Sequence, residues 1–170
     1  MQKIKCINKG DVLTFKASDN KYKLMICTSY YKDRSPFRFN VAALNYSSDK
    51  MPVLNDVLDC EFYGIGNRMS EYFKYSQKEL DKMWTIHPDV KPYSLGSYGL
   101  LICRKDFMTF RDNFELICNL DIVDNLDKNG NGGMNTSALH ALDDLFVNKL
   151  TVLEKDRGQR KFKIEAVVRD

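Results

Sequence analysis

Residues 9–46 read KGDVLTFKASDNKYKLMICTSYYKDRSPFRFNVAALNY, and their apolar side chains fall on every second position. Leu13, Phe15 and Ala17 form one alternating set, Tyr22, Leu24 and Ile26 a second, and Phe37, Phe39 and Val41 a third. A period of two sends successive side chains to opposite faces of a pleated backbone, so each set predicts a half-buried strand. Ser18-Asp19-Asn20-Lys21 between the first two is built of residues that hydrogen-bond their own backbone or tolerate left-handed torsions. It predicts a hairpin. Lys32-Asp33-Arg34-Ser35-Pro36 makes the next turn, its proline placed where it spares the following strand. The apolar register then slips from Phe37, Phe39 and Val41 to Leu44 and Tyr46, which predicts a bulge or sharp bend near Ala42-Ala43.

Working outward, a short strand near Lys3 to Ile7 is expected to lead into the turn Lys9-Gly10-Asp11, from which Val12 to Ala17 departs. Downstream, Leu58, Cys60 and Phe62 alternate as a fourth strand until Gly64 and Gly66 break the pattern. Ser76 and Glu79 stand in capping-box spacing ahead of Leu80, Met83 and Trp84, a short helix ended by Pro88 and Pro92. Tyr98 to Arg104 is a compact apolar run, read as a buried strand. Asp106 caps a helical turn through Phe107 and Phe110. Phe114, Leu116, Cys118, Leu120 and Ile122 then alternate with polar neighbours as a further strand, and residues 124–134 have the Asp, Asn and Gly content of a loop. Leu139, Leu142, Phe146, Leu150 and Leu153 recur at intervals of three and four. They predict a helix over 137–155, started by Thr136 or Ser137 and closed before Gly158. Burying those five side chains contributes about 7 to 15 kcal/mol before entropy is subtracted. Phe162, Ile164, Ala166 and Val168 mark the last strand. The expected fold is α+β, a strongly bent antiparallel sheet or partly open β-barrel with a long helix of the C-terminal half packed on it, as a single domain over 1–170.

With 170 residues, 44% of them apolar, and ten Phe and nine Tyr, the chain can bury one sizeable core and lacks the composition of disorder. It shows no apolar run of leader or membrane-span length, so a cytoplasmic protein is expected. Five cysteines, Cys6, Cys27, Cys60, Cys103 and Cys118, are an odd number at scattered spacings and read as reduced core residues. The net charge of +3 is too small to argue for nucleic acid and is unevenly spread. Residues 1–111 hold 18 Lys and Arg against 12 Asp and Glu, residues 112–144 one against seven, and residues 145–170 seven against four. The acidic block is either an ordinary solvated face or a patch that steers a basic partner.

No motif assembles a catalytic or metal site. Asp127-Lys128-Asn129-Gly130-Asn131-Gly132 opens like a calcium-binding hand loop, but its twelfth position is Ala138 where a bidentate Glu belongs, and Leu120 to Leu126 make a poor entering helix. His87 and His140 stand at no ligand spacing from a Cys, a second His or a carboxylate pair. Gly64-Ile65-Gly66-Asn67-Arg68-Met69 lacks the third glycine of a dinucleotide fingerprint and the strand-helix-strand unit around it. The mixture of Tyr30, Tyr31, Lys32, Arg34 and Arg38 near a hairpin end fits an ordinary sheet face, a protein contact or the base-stacking surface of a barrel-type nucleic-acid reader. No catalytic residue, metal or cofactor is expected.

The Lys9-Gly10-Asp11-Val12 turn, the apolar strand to Ala17, the Asp19-Asn20-Lys21-Tyr22 turn and the strand to Tyr30 together resemble the opening of strand-rich immunity proteins of bacterial polymorphic-toxin systems, most nearly the group catalogued as immunity protein 26. The likeness covers about the first third of the chain. It implies a cytoplasmic protein that binds one cognate toxin effector, delivered for instance by type VI secretion, and blocks its active site without catalysis of its own. It supplies no set of functional residues. From charge and side-chain type, Asp121, Asp124, Asp127, Asp143 and Asp144 are the candidates for steering a toxin, with Tyr30 and Tyr31 as anchors. The runner-up reading is a small barrel that binds nucleic acid. The oligomeric state is left open.

Overall fold

The computed structural model describes residues 4–32, 37–65, 76–81, 95–124, 136–156 and 159–169. In chain order these hold β1 (Asp11–Lys16), β2 (Tyr22–Lys32), β3 (Phe37–Ser48), α1 (Leu54–Leu58), β4 (Glu61–Ile65), α2 (Gln77–Asp81), β5 (Leu101–Cys103), α3 (Arg104–Phe110) and β6 (Phe114–Asn119). A continuous helical stretch follows, made of α4 (Leu139–Asp144), a π-helical turn (Leu145–Lys149) and α5 (Leu150–Asp156), and then β7 (Gln159–Lys163). The fold is α+β. Its strands form one antiparallel sheet in the order β6-β1-β2-β3-β4-β7, with β5 paired to the first part of β3. The sheet is not closed into a barrel. Beyond its edges, however, the segments that continue β6 and β7 meet in an antiparallel bridge of Ile122 with Val168. Val123 N–H donates to Val167 O (2.8 Å) and Arg169 N–H to Asp121 O (2.8 Å) on either side of it.

Local chemistry explains the first turns. Gly10 has φ +87, and a Cβ there would lie 1.9 Å from the Leu120 carbonyl oxygen, so only glycine fits. The buried Asp11 carboxylate accepts Asn8 N–H (2.7 Å) and Asn119 Nδ2–H (2.8 Å), tying the turn to β6. In the hairpin, Asn20 takes φ 62, and Ala17 N–H donates to Lys21 O (2.9 Å). Asn is among the few non-glycine residues that visit this region readily.

The central strands are buried on both faces, not on one. Leu13, Phe15, Met25, Cys27, Phe39, Val41 and Ala43 enter one core, which α3, β6 and the helical stretch complete with Phe107, Phe114, Leu142 and Phe146. Val12, Leu24, Ile26, Ala42 and Leu44 enter a second, covered by Val57 of α1, Phe62 and Phe162 of β4 and β7, and Ile122, Ile164 and Val167. The alternating residues named from the sequence therefore lie on different faces: Leu24 and Ile26 are opposite in sense to Leu13 and Phe15.

Other expectations need correction. Residues 4–8 form no strand. Leu58 belongs to α1, not to a strand, because Asp56 Oδ2 accepts Val53 N–H (2.8 Å) and closes the first helical turn. The irregularity expected near Ala42-Ala43 is found, as two β2–β3 register shifts that flank the pair. Lys23 pairs with Ser47 and Met25 with Ala43, leaving Leu44, Asn45 and Tyr46 opposite Leu24 alone. In β6, Val12 pairs with Cys118 and Leu13 with Leu116, so Ile117 is extra and Leu116 turns outward, 53% exposed. Neither Thr136 nor Ser137 caps the helix, which starts behind Ala138. Thr136 instead donates through N–H to Leu101 O (2.9 Å) and through its hydroxyl to Gly99 O. The helix of 137–155 is otherwise found where periodicity placed it, with Leu142, Phe146 and Leu153 buried. Ser76 does precede a short helix, α2, which contains Glu79 and Leu80, while Met83, Trp84 and the two prolines after them lie outside the described residues.

Candidate interaction surface

The acidic candidates occupy two places, and every one that is described has a partner within the chain. Asp124 accepts from Lys9 Nζ (2.6 Å) and Arg169 Nη2 (3.1 Å), and Asp121 lies 3.7 Å from Arg169 Nη1. The Lys9 hydrogen bond, with help from Arg169 and against a small effect of burial, holds the Asp124 carboxyl below its ordinary value. This cluster clamps the first turn to the segment after β7. Asp143 accepts Ser18 N–H (2.7 Å) and Ser18 Oγ–H (2.6 Å), docking α4 on the β1–β2 hairpin. Asp144 is bonded to Lys149 and to Asn148 Nδ2 (2.9 Å), which hold it below its ordinary value. Asp127 lies outside the described residues, as does the whole calcium-like loop. Tyr30 is 52% exposed near the end of β2, and Tyr31 follows it opposite Arg38 of β3. The sheet thus places the two tyrosines at the strand end next to Arg38, and brings neither together with the described aspartates.

One cleft, of about 280 Å³, opens between the β2–β3 ribbon and the helical stretch, lined among others by Lys23, Asn45, Tyr46, Tyr63, Phe146 and Thr151. Its charged group is spoken for. The Lys23 ammonium is buried and donates to Asp19 Oδ2 (2.7 Å) and Ser47 Oγ (2.8 Å). Burial alone would raise Asp19, but the Lys23 hydrogen bond and Lys21 N–H outweigh it and keep the carboxyl low. The volume is at or below the bottom of the range of about 300 to 1,000 Å³ usual for small-molecule sites.

Burial disfavours thiol chemistry at Cys27, Cys60 and Cys118, while Cys6 is not the core residue expected. All five are free, three of them buried, with Cys6 exposed and Cys118 partly so. Burial, then the Asp11 charge, pushes Cys27 and Cys118 up. Burial together with Asp56 and Asp59 pushes Cys60 up to about 11. A thiol so raised is protonated at neutral pH and a poor nucleophile. His140 is exposed, and among the described residues no three of His, Cys, Asp and Glu converge as metal ligands would. No described helix is long and apolar enough to cross a membrane.

The surface that sequence reading missed lies around α1. Met51, Val53, Leu54 and Leu58 are between 37% and 59% exposed, four large apolar side chains within eight residues. Leu54 and Leu58 stand four apart on one side of the helix, while Val57 turns inward to anchor it. The position is fixed from both ends: Tyr46 Oη–H donates to Lys50 O (2.9 Å), and Ile164 N–H donates to Cys60 O (3.1 Å). The alternation of Leu58, Cys60 and Phe62 masked this helix. The available signal was the pairing of Leu54 with Leu58 behind Pro52, with Asp56 placed to receive Val53 N–H.

Comparison with family models, curated proteins and solved structures returns no match.

Proposed function

We propose that this protein is an immunity protein, which binds a cognate bacterial toxin effector in the cytoplasm and blocks the toxin's active site by steric occlusion. In this reading it forms and breaks no bonds with its own side chains. The sheet acts as a strongly bent, partly open barrel, stiffened by the long helical stretch on one face and by the Ile122 to Val168 bridge. The observation that carries the proposal is the exposed apolar face at Met51, Val53, Leu54 and Leu58 on an anchored support. Large apolar side chains held outward on a rigid element mark a surface that another protein covers. A stable complex would cover about 800 Å² of this chain.

The test is co-expression with a toxin domain, which this reading expects to be encoded beside this gene. Restored growth, and a complex that co-elutes with the toxin inhibited, is the expected result. A toxin that kills equally well with and without this protein, and that does not bind it, refutes the proposal.

A further inference from the structure

We infer that the α1 face is the centre of the toxin contact and that it fits a docking surface consisting of an apolar recess ringed by lysine and arginine. This rests on the immunity reading above and names the partner chemistry it requires. Residues 49–61 contain Asp49, Asp56, Asp59 and Glu61 against Lys50 alone. Among the described residues none of these four carboxylates forms an ion pair, whereas Asp121, Asp124 and Asp144 each have a cation at hand. Asp56 is tied to Val53 N–H, a neutral donor that fixes the carboxylate and leaves its charge in place, whereas Glu61, which accepts from Asn45 Nδ2 (3.2 Å), stands opposite Lys163 and helps hold the Lys161 ammonium above its ordinary value. Asp49, Asp56 and Asp59, against Lys50 alone, therefore set a local negative field in the same segment as the four exposed apolar side chains, on a molecule whose net charge is +3. Steering acts through such a field, and hot spots through apolar groups at its centre.

The charge selects among occupants. A second copy related by a two-fold axis would bring this patch against itself, carboxylates facing carboxylates. Nucleic acid and anionic lipid surfaces are repelled for the same reason. A basic protein surface gains both from burying the apolar groups and from pairing the carboxylates at the rim. Because the face is anchored by Val57, Tyr46 and Cys60, little ordering is needed on binding.

The experiment uses the full chain and the purified toxin domain that the immunity reading expects to be encoded beside its gene, carrying an inactivating substitution. Leu54→Asp with Leu58→Asp is expected to weaken binding at least about 30-fold, the scale of a hot-spot loss. Asp49→Asn with Asp59→Asn is expected to slow association about tenfold at low salt and to flatten its salt dependence. All four positions are exposed, so circular dichroism and melting temperature should match the parent; Val53→Lys, also exposed, is the second apolar variant. If the parent binds and inhibits the toxin while these variants bind as well, the α1 inference is wrong and the immunity reading stands. If the parent itself neither binds nor protects, the immunity reading fails first. If the parent sediments as a dimer that Leu54→Asp makes monomeric, the face is covered by a second copy and the inference is overturned.

Discussion

Ser97 shows how one side chain substitutes for a missing piece of strand. β3 turns from β5 to β4 along the same edge, and the gap between them is filled by residues 95–100. Ser97 Oγ receives Ala43 N–H (2.8 Å) and donates to Tyr63 O (2.5 Å), while Ser97 N–H donates to Val41 O (2.9 Å). Its side chain thus joins β3 to β4 where no ladder bond does. Ser97→Ala leaves a buried donor and a buried acceptor without this partner, and stranding such groups costs about 1 to 3 kcal/mol. Urea denaturation should show the midpoint falling accordingly with its slope unchanged. Gly96 has the complementary role: a Cβ there would stand 2.1 Å from Asn40 Oδ1, so this segment lies against β3 only as drawn by the glycine.

Among the elements, the docking of the helical stretch depends on Asp143 at its hairpin end and on Phe146 in its middle. Phe146 meets the Phe15 ring edge-on with centroids 5.2 Å apart. Asp143→Ala removes both acceptors of Ser18 and should lower stability by about 1 to 2 kcal/mol, in line with the loss of a capping interaction. The same variant tests whether Asp143 contacts the toxin, because a binding residue would change affinity at unchanged occupancy of the folded state. Strands and helices of strong period were readable from sequence: β1, β2, β3 and the stretch from Leu139 each have a run long enough for periodicity to decide. The second buried face does not show in a period of two, because Val12-Leu13, Leu24-Met25-Ile26-Cys27 and Val41-Ala42-Ala43-Leu44 are apolar at consecutive positions, as strands buried on both faces are. Covering them takes α1, Ile122 and Ile164, which are distant in sequence. The surface at α1 was hidden for a related reason. Five helical residues carry too little pattern to outweigh an apparent strand through Leu58, Cys60 and Phe62. Of the charged candidates, sequence gives the sign of Asp121, Asp124 and Asp144 but not the Lys9, Arg169 and Lys149 that lie against them.

For the whole molecule, titration sets limits on both sides of neutrality. Asp19, Asp124 and Asp144 have carboxyl groups held below the ordinary 3.8. A depressed folded value contributes stability that is present above the unfolded value and is lost as pH falls through the folded one. Cys27, Cys60 and Cys118 are raised from 9.0. There the contribution is present below 9.0 and is lost as pH rises toward the folded values, as the unfolded thiols ionise first. The urea midpoint should therefore be level from about pH 5 to 8, decline below about pH 4 and decline again above about pH 9. A midpoint that continues to rise from pH 5 down to pH 3 would contradict the assignment of the three aspartates.

The two-sided burial of β1 to β3 has a further consequence for how the protein is made. These strands are complete by residue 48, yet much of what covers them arrives with residues 104–168. At ribosomal speeds of about 5 to 20 residues per second, the emerging ribbon waits roughly 6 to 24 seconds with both greasy sides bare. Its own nascent neighbours on a polysome carry the same ribbon. Co-expression of a holdase chaperone, shielding the first hairpins until the C-terminal third has been translated, is therefore expected to raise the soluble yield at high expression, as fractionation of the lysate would show.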